Sequence, residues 1–112
     1  MTIHDIVSAL SLRVINAGDM EQTVSEGYCG DLLSWVMGRA PHGCVWVTIM
    51  SNRNVIAVAS LAEIAAIVFA EGVEPDADAL ERAREEGITL LGSELPTFEL
   101  TGRLYDIMGQ KK

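Results

Sequence analysis

Apolar positions recur at helical spacing from the first residues of the chain. Ile3, Ile6, Val7 and Leu10 fall at i, i+3, i+4 and i+7 and form one stripe. Thr2 precedes the stripe, and Asp5 stands where a capping-box acid reaches back to the cap, so a helix is predicted over residues 2–10. Leu12-Arg13-Val14-Ile15 reads as a short strand, and Asn16-Ala17-Gly18-Asp19 as a turn. A second short strand, from Val24 to Cys29, leads into Gly30-Asp31. Asp31 is placed to cap a helix carrying Leu32, Leu33, Trp35, Val36 and Met37, which Pro41-His42-Gly43 ends. The two N-terminal strands are expected as a pair at a sheet edge.

The pattern then changes. Cys44 to Met50 is a near-continuous apolar, β-branched run, the signature of a strand covered on both faces. The polar loop Ser51-Asn52-Arg53-Asn54 follows, then an apolar, Ala-rich helix from Val55 to Glu63 and a second covered strand from Ile64 to Ala70. A polar helix is predicted from Asp76 or Asp78 to Gly87. Ile88 to Leu91 is a further strand. A last helix is expected from Pro96 to Met108, with Phe98, Leu104, Tyr105, Ile107 and Met108 as its apolar side chains. Helix and covered strand alternate with short connections from Asp31 onward. That order predicts an α/β fold, three layers α/β/α, around a mainly parallel sheet of about five strands. No linker, repeat or low-complexity segment divides the 112 residues, so a single domain spanning 1–112 is expected.

Composition narrows the function. The chain is 49% hydrophobic, with a mean hydropathy of +0.25. Such a balance excludes disorder and implies either a very well-filled core or apolar surface that meets another subunit. The net charge is −8, and the only cationic cluster is Lys111-Lys112. A nucleic-acid binder needs a basic surface to displace counterions, and an anionic lipid surface asks for the same, so neither is expected as a partner. Cys29 and Cys44 match no zinc or CxxC spacing and read as half-buried thiols in strands. The apolar runs, such as Val55 to Ala59, are too short to span a membrane, and no basic-then-apolar leader occurs. A cytoplasmic protein is the expectation.

Catalytic signatures are lacking. There is no Gly-x-Gly-x-x-Gly, no P-loop and no Gly-x-Ser-x-Gly elbow. His4 and His42 lie in separate segments without a carboxylate pattern for metal, and both read as solvated. Glu81, Glu85 and Glu86 share a helix with Arg82 and Arg84. Asp78 and Arg82, and Arg82 and Glu86, are i,i+4 pairs, which marks a solvated face. Neither a cofactor nor a metal site is expected, and the chain is not read as an enzyme. Ligands of open α/β sheets bind at the carboxyl ends of the strands. The residues placed there are Asp31 and Ser34, then Thr48, Ser51, Asn52, Arg53 and Asn54, then Glu71 and Gly72, and finally Ser93 and Thr97. Asp31, Thr48, Ser51, Asn52, Arg53, Asn54, Ser93 and Thr97 are the candidate ligand residues. Capping of helices by the Ser, Thr and Asn among them is the simpler role, and Arg53 is the one cation in the set.

The stretch from Glu74 to Tyr105 resembles the DRTGG domain, and is similar to the end of the N-terminal domain of HPr kinase/phosphorylase. There a proline-acid helix start, a Gly-Ile-Pro-Leu-Leu strand and a Leu-Ser-Thr helix start recur in the same order. Gly27-Tyr28 through Ser34, and Val45 through Ala59, look like stand-alone members of that family, so the resemblance covers nearly the whole chain. It departs at three points. The motif that names the family is degenerate at Glu21 to Gly27. Its Leu-Ser-Thr becomes Leu95-Pro96-Thr97, which removes a serine N-cap. The kinase domain of HPr kinase is absent. The resemblance implies a regulatory or protein-interaction module of bacteria; the apolar helix from Val55 to Leu61, the two Trp and the absent catalytic motifs suggest that it acts as a homodimer. In the family, such domains accompany HPr kinase, CBS-domain pyrophosphatases and phosphate acetyltransferases. Stand-alone copies look like companions of iron-only hydrogenases and sensor kinases, which implies a partner enzyme. A small-ligand sensor using the loop from Thr48 to Asn54 is the alternative. The similar fold that opens the Mur ligases binds a uridine nucleotide, a fold-level analogy that makes a nucleotide one expected small-molecule ligand.

Overall fold

In a computed structural model the chain is described from residue 1 to 109; Lys111 and Lys112 lie outside the described residues. The described residues form, in chain order, α1 (Ile3–Leu10), β1 (Arg13–Asn16), β2 (Gly27–Cys29), α2 (Leu33–Arg39), β3 (Val45–Thr48), α3 (Arg53–Leu61), β4 (Ala66–Phe69), α4 (Ala77–Glu86), β5 (Thr89–Gly92) and α5 (Thr97–Gly109). They form one sheet in the order β1-β5-β4-β3-β2, in which only β1 runs antiparallel. The predicted α/β class and three-layer architecture are thus the observed ones.

The layering follows from the crossovers. Each step from β2 to β3, β4 and β5 moves one strand in the same direction, and right-handed connections then place α2, α3 and α4 on one face. Val36, Val55, Ile56, Ala59, Ala79 and Ala83 from these helices bury against Trp46, Ile67, Phe69 and Leu90. The other face receives α1 and α5. There Ile3, Ile6, Leu100, Leu104 and Met108 cover Val45, Val47, Val68 and Leu91. The strand residues alternate between the two clusters, as the two-residue period of a strand requires. Every residue of β3, β4 and β5 is buried, which is why β3 and β4 read as near-continuous apolar runs.

Local signals act as read at several ends. Thr2 and Asp5 exchange bonds in a capping box: the Asp5 amide donates to Thr2 Oγ1 at 3.1 Å, and the Thr2 amide donates to Asp5 Oδ2 at 2.9 Å. Gly87 closes α4 in the left-handed region, with φ 68°. Arg82 pairs with Glu86 along α4.

Four expectations need correction. β1 and β2 are not a pair; they form opposite edges of the sheet, because β1 joins β5 and the chain crosses the whole sheet to start β2. Asp31 does not cap α2. The cap position is Leu32, without a side-chain bond, and Asp31 turns to β3 instead. Phe98 and Tyr105 do not pack inward. The buried stripe of α5 is Leu100, Leu104 and Met108, which leaves Phe98 91% and Tyr105 70% exposed. The cysteines are not alike either. Cys29 is exposed on β2, whereas Cys44 is buried just before β3. Burial pushes the Cys44 thiol up to about 11. Partial burial and the nearby Asp31 raise the Cys29 thiol too, but a reagent can reach it, so in dilute native protein an alkylating reagent should modify Cys29 alone. Fast modification of both thiols without denaturant would contradict this burial.

Candidate functional site

The carboxyl ends of β2 to β5 lie at one end of the sheet, together with the start of the antiparallel β1. The loop after β4 leads to α4 on one face, and the loop after β5 leads to α5 on the other. Diverging loops of this kind open the crevice where α/β sheets usually hold ligands. Here the chain fills the crevice itself. The Glu71 amide donates to the Leu95 carbonyl at 2.9 Å, and the Gly72 amide to the Ser93 carbonyl at 2.9 Å. One oxygen of the Glu71 carboxylate accepts from the Thr97 amide at 3.0 Å and from Thr97 Oγ1 at 2.9 Å. Glu71 and Gly72 both adopt positive φ, 60° and 74°, which turns the loop back over Ser93.

This contact explains how α5 begins without the serine that the resemblance led one to expect. Pro96 supplies the first turn, and a carboxylate from a distant loop takes the orphan amide of Thr97. The bonds from Thr97, the amide first and the hydroxyl second, hold the Glu71 carboxyl below its ordinary range. A carboxyl lowered by folding adds stability above its unfolded value, and that contribution is lost as pH falls through the folded value. Glu71→Ala should therefore lower the melting temperature at neutral pH. Its deficit against the parent should shrink on acidification through the lowered value. A deficit that persists unchanged in acid would contradict the capping role.

The other candidate residues are mostly engaged with one another. Thr48 Oγ1 donates to Asp31 Oδ1 at 2.7 Å, and the Ile49 amide donates to the same oxygen at 3.0 Å. Asp31 thus ties β2 to the end of β3. The Met50 amide donates to Thr48 Oγ1 at 3.1 Å. Asn52 caps α3 by accepting from the Asn54 amide at 2.9 Å. Ser51 Oγ donates to Asp76 Oδ1 at 3.1 Å, which links the loop before α3 to the start of α4. Ser93 Oγ accepts from the Leu95 amide at 3.1 Å. Arg53 lines a depression with Asp78, Glu81, Arg82 and Glu85, an acidic setting for this cation. The structure thus places the candidates at one end of the sheet but splits them between two places. Asp31, Thr48 and Ser51 to Asn54 gather around β3. Ser93 and Thr97 join Glu71 in the crevice.

Two features were not singled out from the sequence. Arg13 reaches from β1 across the end of β5 to pair with Glu74 and, at 3.4 Å, with Glu94. Gly92 makes room for it, since a Cβ there would stand 2.8 Å from the guanidinium. Beside Arg13, a pocket of about 350 Å³ is lined by Ser93, Glu94 and Arg103. No local signal could have joined residues 13, 74 and 94. The second feature is an apolar groove of about 390 Å³ between the edge strand β2 and α5, bounded by Cys29, Phe98, Gly102, Leu104 and Tyr105. A signal for it existed: Phe98, Thr101, Gly102 and Tyr105 repeat at i, i+3, i+4 and i+7.

Among the described residues no group of three or more His, Cys, Asp or Glu side chains is placed to hold a metal ion. Among them, no helix is long and apolar enough to cross a membrane.

No protein-family profile matches the sequence, and no curated protein does. The fold does have a solved counterpart. The chain superimposes on the CBS and DRTGG domains of the regulatory region of Clostridium perfringens pyrophosphatase, a structure complexed with the activator diadenosine tetraphosphate, with a TM-score of 0.70 at 13% sequence identity. The match covers 92% of this chain and 45% of that one, so this chain spans less than half the length of its counterpart. At that identity the likeness establishes a shared fold: this chain has the architecture of a domain found in a regulatory region.

Proposed function

We propose that this chain is a non-catalytic regulatory and protein-interaction module of the DRTGG type, acting as a homodimer in the bacterial cytoplasm. One observation carries the reading. The crevice at the strand ends is closed by the chain's own bonds from Thr97 to Glu71, while an apolar groove flanked by exposed aromatics stands open beside β2. Exposed apolar surface of that kind is characteristic of contact with protein. The fold shared with a pyrophosphatase regulatory region supports the same reading. So does the resemblance to the N-terminal domain of HPr kinase, with a hydrogenase or a sensor kinase as the kind of enzyme partnered. Sedimentation velocity across the micromolar range tests it. A reversible dimer is expected; a monomer at every concentration would refute the homodimer.

A second reading, a small-ligand sensor, is favoured by the nucleotide activator of the counterpart and by the pocket lined by Arg13, Ser93 and Arg103. It ranks second because both cations already face carboxylates, Arg13 with Glu74 and Glu94, and Arg103 with Glu99 at 2.6 Å. A phosphate would have to displace them. Thermal shift with mono- and dinucleotides decides: a ligand that binds only the native state raises the melting temperature by mass action, and no rise with any nucleotide retires this reading.

A further inference from the structure

The two edges of the sheet are not equivalent. β1 is guarded in the ways that exposed edges usually are: its register slips between Val14 and Asn16, and Arg13 at its start is ion-paired. β2, Gly27-Tyr28-Cys29, has neither a bulge nor a charge. The Glu26 carbonyl and the Gly30 amide bond to β3. By alternation, the amides and carbonyls of Gly27 and Cys29 point away from the sheet and find no strand beyond them.

We infer that two copies of this chain join through β2, paired antiparallel about a twofold axis at Tyr28, with the Phe98–Tyr105 stripe of each α5 closing on that of the other. The inference rests on the homodimer reading above and names its surface. In this register Gly27 of one copy opposes Cys29 of the other, and both are outward-facing residues. The pair therefore exchanges both backbone bonds, twice around the axis. The helices fit the same axis. α5 lies across β2 and β3 on one face. Strands spaced about 4.8 Å apart put a helix seated between them about 4.8 Å from the axis. The two α5 helices would then lie about 10 Å apart, at the upper end of helix packing distances.

The stripe is also complementary to itself. An antiparallel pairing of α5 centred between Thr101 and Gly102 sets Phe98 of each copy against Tyr105 of the other. At that centre Gly102 leaves a notch, because a Cβ there would meet nothing within 4 Å. Knob and notch on one surface favour a second copy over an unrelated peptide. Area sets the strength. Phe98 and Tyr105 leave roughly 300 Å² to be covered per copy, against about 800 Å² per partner in a standard interface. The edge strand and the rest of the α5 face supply part of the difference, so the dimer belongs to the weak, micromolar class.

Sedimentation of the full chain and its variants tests the surface. Phe98→Asp and Cys29→Lys both alter exposed side chains, and circular dichroism verifies their folding. Each should raise the dimer dissociation constant at least tenfold. Leu61→Asp, on the exposed side of α3, should leave it unchanged. In the parent, alkylation of Cys29 should slow as protein concentration rises, while Cys44 stays protected throughout. A dimer that survives both edge variants, dissociates with Leu61→Asp, or leaves the Cys29 rate independent of concentration overturns the edge pairing and leaves the homodimer standing. A parent that is monomeric at every concentration overturns both.

Discussion

Trp46→Ala is expected to destabilise the domain by about 3–5 kcal/mol, the range for truncating a buried large aromatic. Trp46 has no exposed surface, and it sits on an interior strand beneath the helices of the α2–α4 face. Its indole Nε1 donates to the Gly30 carbonyl at 2.9 Å, so the side chain also holds the segment that follows the edge strand β2. Truncation removes apolar burial, leaves a cavity among Val36, Ile56, Ile67, Phe69 and Leu90 in the same core cluster, and frees the Gly30 carbonyl. Small domains are stable by about 5–15 kcal/mol, so the loss could leave much of the protein unfolded. Urea denaturation followed by circular dichroism measures it. Trp46→Phe separates the contributions, because it restores most of the volume but not the bond to Gly30. It should recover the larger part of the loss. Equal effects of Phe and Ala would mean that the hydrogen bond, rather than the packing, dominates at this position.

The second large effect is expected at a turn. Gly18→Ala should cost about 2–3 kcal/mol, toward the upper end for overpacking, because the obstacle is backbone. A Cβ at Gly18 would lie 2.2 Å from the Gly87 carbonyl oxygen and 2.8 Å from Thr89 Oγ1. The Gly18 amide also donates to that hydroxyl at 3.0 Å, which fixes the turn against the start of β5. Neither partner can retreat without disturbing the end of α4 or the pairing of β1 with β5. Gly38 is the control. A Cβ there meets nothing within 4 Å, and the residue lies within α2. Gly38→Ala should stabilise by about 0.5–1 kcal/mol, since alanine gives up less backbone freedom in a helix. Melting curves that rank Gly18→Ala no lower than Gly38→Ala would contradict the close approach at Gly18.

The contrast between these glycines shows how far the sequence could be read. Both are single glycines between polar and apolar neighbours. What separates them is a carbonyl 69 residues away. The same holds at the candidate site. Asn52 was legible as a cap because its partner, the Asn54 amide, is two residues on. Asp31 looked like another cap, and its local pattern was as good. It was drawn instead to Thr48 and Ile49, which parallel pairing of β2 with β3 brings alongside. Glu71 stood among the strand-end residues without a role, because the amide it serves lies 26 residues further along.

By itself, the sequence determined the element order, the three covered strands and the layered α/β architecture, because burial imposes a two-residue period on strands and a 3.6-residue period on helices. It also determined the caps whose partners are neighbours. The tertiary structure alone decided three things: that β1 and β2 lie at opposite edges, that the strand-end crevice is closed by Glu71, and that Phe98 and Tyr105 face outward beside an open strand. Each depends on contacts between distant segments, and apolar periodicity says that a face is covered without saying by what. For α5 the period was visible, but two stripes satisfied it, and only the packing of Leu100, Leu104 and Met108 against the sheet chose which one turned inward.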